Sequence, residues 1–333
     1  MGSSESCPTS KENKALFQVL ESLQKETKKS EEINVPVEVI PKKFTETYYM
    51  KSFDKTERYP PIKDALDDLK CICSKSYIGD LYEKHKESLA KVVTSIWTKD
   101  IEFTKLINAA LIVDSVKTFN KDVSEKNYKL MKEEVAKSGK TYTEIIDKSI
   151  KFMRLLNSYI VDKGMGFNTE DRVVYRGVST EIFRNVECGK TFRIVNWSSC
   201  SEDLHLAKFF SGFCGPQDEK NRTVAKFNIK SGCYNAGKLN DIGMSCHRDE
   251  KETLLPPYTI CTIKKKTKLR NTTLNSLVSD SSSYANENSS ETFSQLFAGD
   301  ETESETEITH LLEVDICVDN KSCKLEVESA CYF

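Results

Sequence analysis

The sequence predicts an α+β chain in which a helical subdomain precedes a strand-rich core. Two observations carry that expectation. Residues 60–165 place apolar side chains at helical spacing, with Gly79 and Gly139 as the breaks inside the run. From Gly164 onward the pattern changes to short β-branched and aromatic runs bounded by Gly, Ser and Pro. A length of 333 residues gives room for one large domain or two ordinary ones.

Taken in order, residues 1–44 read as a flexible segment with one short helix. Leu16, Val19, Leu20 and Leu23 form a stripe behind Ser10, and Pro36 and Pro41 mark a linker. The first residues match Met-Gly-x-x-x-Ser, with Cys7 beside Ser6. That pattern fits a myristoyl chain on Gly2 and a palmitoyl chain on Cys7, a two-signal anchor to a membrane; a plain polar start fits it too. The helical part, 45–165, ends in Thr141-Tyr-Thr-Glu-Ile-Ile-Asp-Lys-Ser-Ile-Lys-Phe-Met153, where Ile145, Ile146, Ile150 and Met153 recur at helical spacing. The β core covers 166–268. Residues 269–310 read as an acidic, disordered linker, because 271–310 contain no Lys or Arg and are rich in Ser, Asn, Asp and Glu. Residues 311–333 read as a β-hairpin with an acidic outer face: Leu312–Val318, a turn at 319–322, then Cys323–Val327.

Lys and Arg total 49 against 51 Asp and Glu, a net charge of −2, which leaves no basic footprint for nucleic acid. That near-neutral balance is compatible with a monomer. No apolar run reaches the ~20 residues of a membrane span, and the polar start does not read as a secretory signal. The expectation is therefore a cytoplasmic chain, membrane-associated if its N-terminus is acylated. Twelve cysteines without a Cys-x-x-Cys read as mostly reduced thiols, and four scattered histidines give no zinc spacing.

Three features of the strand-rich half carry chemistry. Tyr175-Arg176-Gly177 puts an arginine on a strand with a glycine after it, which suits a ligand held close to backbone or an edge arginine beside a bulge. Thr191–Ser201 reads as one strand ending in Ser198, Ser199 and Ser201; these hydroxyls suit a ligand or the cap of the helix that follows. Glu250-Lys251-Glu252 precedes Leu254-Leu255-Pro256-Pro257 and the strand Tyr258–Ile263. Period-2 geometry points both carboxylates to one side, as would suit one bound substrate; a solvated turn is the alternative.

In that order the three features resemble the R-S-E signature of arginine-specific mono-ADP-ribosyltransferases, the family of vertebrate ecto-enzymes and related bacterial toxins. Glu250-Lys-Glu-Thr-Leu-Leu-Pro-Pro257 is similar to its E-x-E-x-L-I-P-P block, and Ala110-Leu111 through Phe119-Asn120 resembles its helical Ala-Leu…Phe-Asn stretch. The similarity spans roughly residues 45–268. It implies a mixed, mostly antiparallel two-sheet core that binds NAD and transfers ADP-ribose to arginine on proteins, with no metal. By resemblance, Arg176 holds the phosphates and Gly177 offers its backbone to the nicotinamide amide. Ser199 bonds the ribose and orients Glu252, and Ser201 supports it. Phe213 stacks on nicotinamide. Glu252 stabilises the positive ribose, and Glu250 orients the target guanidinium. The same residues would serve an NAD glycohydrolase, and the fold alone could persist as a non-catalytic NAD-binding module. The chain departs from the secreted relatives in lacking a secretory start and an apolar C-terminal tail, so location does not carry over.

Overall fold

The computed structural model describes residue 56 and residues 59–72, 77–99, 101–119, 125–167, 170–178, 187–211, 221–243, 251–270, 308–318 and 329–331. Its first half is helical: α1 (Ile62–Lys70), α2 (Tyr77–His85), α3 (Leu89–Lys99), α4 (Ile101–Phe119), α5 (Glu125–Lys137) and α6 (Tyr142–Phe167). Local sequence sets the boundaries. Pro60-Pro61 precede α1, where a missing N–H costs nothing. Thr141 and Glu144 close a capping box at α6: the Glu144 N–H donates to Thr141 Oγ1 at 3.2 Å, and the Thr141 N–H donates to Glu144 Oε2 at 2.8 Å. Helix α4 is apolar on most sides over its middle turns, with Phe103, Leu106, Ile107, Ala109, Ala110 and Leu111 all buried. Such a helix belongs inside a layer of others.

The second half contributes β1 (Arg172–Val178), β2 (Thr191–Ile194), β3 (Ser198–Ser201), α7 (Leu204–Ser211), β4 (Asn221–Ile229), β5 (Gly237–Lys238), α8 (Leu239–Ile242), β6 (Glu252–Leu255), β7 (Thr259–Arg270), β8 (Ile308–Ile316) and β9 (Ser329–Cys331). The chain is thus α+β. Its strands form one mixed sheet in the order β5-β6-β3-β1-β4-β8-β7-β2-β9, with β4–β8 and β2–β9 parallel and the other pairs antiparallel. Strands β6 and β3 lie near one end of this order, β7 and β2 near the other. Yet β6 runs into β7, and β2 into β3, through short bends at 256–258 and 195–197. A sheet whose ends are joined in this way curls on itself. Its enclosed core accordingly draws Val174, Phe192, Phe227, Leu255, Ile263 and Val314 from six different strands.

The expected two sheets are therefore corrected to one, and β8 is the reason. It pairs with β4 on one side and β7 on the other, filling the place where two sheets would have parted. The expected boundaries at 268 and 310 do not divide this sheet, since β7 runs to Arg270 and β8 begins at Ile308. The first arm of the expected C-terminal hairpin is interior strand; its turn and second arm, 319–328, lie outside the described residues, as does 271–307. Strict alternation explains the placement. Leu312, Val314 and Ile316 enter the core, while Glu313 and Asp315 meet Lys226 at 3.9 Å and Lys264 at 3.5 Å across the neighbouring strands. Asn228 donates a further bond to Asp315 at 2.9 Å. Exposed ion pairs add little stability, but a one-residue slip would turn both acids into the core, so they fix the register.

Because β8 is interior, Leu312→Ala should cost roughly 2–5 kcal/mol of unfolding free energy, whereas Val318→Ala at the exposed strand exit should stay within about 0.5 kcal/mol. Urea titrations of the two variants check this. Two small, equal effects would place the segment outside the core.

Candidate active site on strands β6, β3 and β1

The site is built on one two-stranded ribbon. Strands β3 and β6 pair from Ser198↔Leu255 to Ser201↔Glu252, and β2 and β7 pair from Thr191↔Thr262 to Ile194↔Thr259. Both ladders keep a single register, so 191–201 and 252–262 form one ribbon interrupted at 195–197 opposite 256–258. The expected continuous strand Thr191–Ser201 is therefore two strands. Prolines cause the break: Pro256 and Pro257 have no N–H to give to the ladder. The Thr259 N–H closes a turn onto the Pro256 carbonyl at 3.3 Å, and Thr259 Oγ1 donates to the same oxygen at 2.7 Å. Pro257 followed by Tyr258 at φ 65° makes this a type II turn. Tyr258 is fully buried; its N–H donates to the Ile194 carbonyl and its carbonyl accepts from Arg193 Nη1 at 2.9 Å. Arg193, itself buried, was not singled out by the sequence pattern, although an arginine inside a short apolar strand calls for a partner as Arg176 does.

At the far end of β6, Lys251 adopts φ 45° immediately before Glu252. Left-handed backbone at a non-glycine residue costs roughly 1–2 kcal/mol. Strand β6 is thus bounded by two such residues, Lys251 and Tyr258. Glu252 opens it, only 8% exposed, directly across from the buried Ser201. Ser199 stands opposite Leu254, on the same face and one diagonal step from Glu252. The expectation made Ser199 the orienting partner of Glu252; in this register Ser201 holds the opposed position. The Ser201 hydroxyl accepts the Asp203 N–H at 2.9 Å. Asp203 in turn caps α7, accepting from the N–H groups of His205 at 2.8 Å and Leu206 at 3.3 Å. The cap is therefore Asp203 and not one of the serines, and its place before Leu204 was the readable signal.

Arg176 lies on β1, the next strand after β3 in the sheet. Two residues from Val174 and Val178, it shares the face of the strand whose side chains are in the core, and its Nη1 donates to the Ser199 carbonyl. Gly177 beside it is buried. Tyr175, opposite Ser201, packs instead on the cluster of Leu204 and Ala207, which ties β1 to α7. Cys200, between the two serines, feels both charged groups. Burial pushes its thiol up to about 12, with Arg176 pulling it back and Glu252 adding to the rise. Beyond Ser201, Glu202 pairs with Lys238 of β5 at 3.3 Å, both half-buried. Asn196 of the nominal Asn196-Trp-Ser198 sequon is buried and donates its Nδ2 to the Trp197 carbonyl at 2.9 Å, which leaves no room for a glycan in the folded chain.

The structure therefore brings Arg176, Gly177, Ser199, Ser201 and Glu252 onto adjacent strands. Glu250 and Phe213, like Gly2 and Cys7, lie outside the described residues. Among the described residues no group of three or more His, Cys, Asp or Glu side chains could hold a metal ion. No described helix is long and apolar enough to cross a membrane. An apolar cavity of about 670 Å³ lined by Tyr59, Pro60, Ile62, Leu89, Leu155 and Tyr159 belongs to the helical half and takes none of these residues.

No family model matches the chain, and no curated protein matches it. Among solved structures it is similar to the Vis toxin, an ADP-ribosyltransferase from Vibrio splendidus, at 11% identity and TM-score 0.34, covering 78% of this chain and 87% of that one. It is similar to Plx2a, an ADP-ribosyltransferase toxin from Paenibacillus larvae, at 16% identity and TM-score 0.34, covering 75% and 96%. A third is exoenzyme S from Pseudomonas aeruginosa in complex with human 14-3-3 protein beta and bound to carba-NAD, at 12% identity and TM-score 0.36, covering 75% and 87%.

The Cys200 environment predicts two outcomes. In the native protein at pH 8, iodoacetamide should modify exposed Cys71 and Cys188 and spare the buried Cys200, Cys233 and Cys261, as peptide mapping would resolve. The folded thiol keeps its proton up to about 12, whereas an unfolded one releases it near 8.5. The unfolded chain then binds fewer protons between those values, so the urea midpoint should fall as pH rises through that window.

Proposed function

We propose that this chain breaks the nicotinamide–ribose bond of NAD and transfers ADP-ribose to arginine side chains of proteins. The observation that carries the reading is the adjacency of β6, β3 and β1, three strands that bring Glu252, Ser199, Ser201 and Arg176 together from distant parts of the sequence. Buried Glu252 suits a fixed negative charge beside a ribose that turns oxocarbenium-like as the bond to nicotinamide breaks, the bonding electrons leaving with the ring nitrogen. Ser201, across from it, and Ser199, one step along, would hold that carboxylate and the ribose hydroxyls in one plane of hydrogen bonds. A guanidinium carries five donors in a rigid fork. Arg176 would thus brace the Ser199 carbonyl and bind a phosphate of the dinucleotide with the same group. Gly177 would present its backbone to the nicotinamide amide, and Phe213 would stack on the ring.

The acceptor is the second half of the proposal. A guanidinium is fully protonated near neutral pH. Its nitrogen attacks the ribose carbon only as a proton leaves, and Glu250 would take that proton and hold the fork. The identity of Glu at 250, where relatives that modify other side chains carry Gln, is what points to arginine. The left-handed turn at Lys251 would set the angle between the two carboxylates, one facing NAD and one facing the incoming side chain.

The test follows nicotinamide release and labelled ADP-ribose together, with an arginine analogue as acceptor. Wild type should give both signals. Glu252→Gln should lose both, on the order of a hundredfold or more, and Glu250→Gln should keep nicotinamide release while losing the label. Nicotinamide release without label in wild type would make water the acceptor and the protein a glycohydrolase. Neither signal, with NAD still bound, would leave a binding module.

A further inference from the structure

We propose that Asn108, on helix α4, is a positioning residue through which the helical half sets β3 for the reaction; the kinetic part of this rests on the transferase reading above. Where the ribbon breaks, the register puts Trp197 opposite Pro256 and Asn196 opposite Pro257. The partner strand therefore has no N–H to offer at either position, and a buried carbonyl left without a donor is costly. Two side-chain amides fill the gap. Asn108 Nδ2 donates to the Trp197 carbonyl at 3.2 Å, and Asn108 Oδ1 accepts the Trp197 N–H at 3.0 Å. Asn196 Nδ2 adds a second donor to that carbonyl at 2.9 Å.

A single asparagine that takes both backbone groups of one residue acts as a one-residue strand partner. It comes from 89 positions away in sequence, and it grips the residue directly before Ser198. The contact is also anchored sideways: the Trp97 and Trp197 rings lie 5.2 Å apart, and Val195, Trp197, Leu254 and Tyr258 belong to the helical core rather than to the sheet core. Asn108 thus adds a polar bond to a largely apolar joint, and it fixes where β3 starts. Ser199 and Ser201 follow within four residues. Asn108 acts through the backbone of Trp197, which its amide holds at both ends.

The experiment compares wild type with Asn108→Leu, Asn108→Asp and Ile107→Val. The last is the preceding buried residue of α4; it lowers stability while keeping the Asn108 amide. Misplacing a contact group by about 1 Å costs up to about a hundredfold; Asn108→Leu should accordingly raise KM for NAD about tenfold or more with kcat within about threefold. Asn108→Asp keeps the acceptor for the Trp197 N–H and should fall between. Ile107→Val should leave KM unchanged. In parallel, hydrogen exchange of the Trp197 amide should quicken in Asn108→Leu and not in Ile107→Val. An unchanged KM in Asn108→Leu, or an equal rise in Ile107→Val, overturns the proposal. If wild type releases no nicotinamide, the transferase reading fails, and the exchange of the Trp197 amide decides the positioning role alone: equal exchange in the two variants rejects it.

Discussion

Every part of the candidate site depends on one constraint, the single register shared by 191–201 and 252–262 across a break that two prolines enforce. The register decides that Ser201 faces Glu252 and that Ser199 sits one diagonal step away. The break turns the ribbon so that its two ends serve different parts of the curled sheet. Two left-handed residues, Lys251 and Tyr258, bound the short β6 between them. Neither is a glycine, so each conformation costs energy that the surroundings must offset. At Tyr258 the compensation is visible in full burial and two backbone hydrogen bonds.

The two halves of the chain divide the work. The strand half supplies the residues that would meet NAD, and β8 closes its sheet with a row of acids set between lysines. The helical half supplies no charged side chain to the described site. It receives the bend of the ribbon into its own core, through Val195, Trp197, Leu254 and Tyr258. The prolines give the Trp197 backbone no N–H across the ribbon, and Asn108 of the helices supplies a donor and an acceptor there. That dependence gives a largely apolar bundle a part in a site whose described residues Arg176, Gly177, Ser199, Ser201 and Glu252 all lie on strands.

Much of this was legible in sequence wherever the signal is local. Helical spacing over 60–165 lies within a few residues of what it forms. So do the strand with Arg176 and the Pro-Pro boundary before β7. What was missed is non-local. Alternation in 312–318 marked a strand, but nothing in those residues says whether its neighbours are β4 and β7 or the next arm of a hairpin. Ser199 and Ser201 were both readable as candidates, yet which of them faces Glu252 depends on a pairing made across fifty residues of chain. Asn108 looks like an ordinary helix residue until the carbonyl it meets is known, and Arg193 calls for a partner without naming it. The resemblance supplied roles for side chains; the pairing supplies their places.

The central claim is that Ser201 and Glu252 act as one unit because the ribbon sets them face to face. A double-mutant cycle of Ser201→Ala and Glu252→Gln, read by nicotinamide release, measures it most directly. A coupling of about 0.5–3 kcal/mol between the two substitutions is the predicted result. Additivity within about 0.3–0.5 kcal/mol would contradict the account, because residues that merely share a strand pair without acting together leave their effects independent.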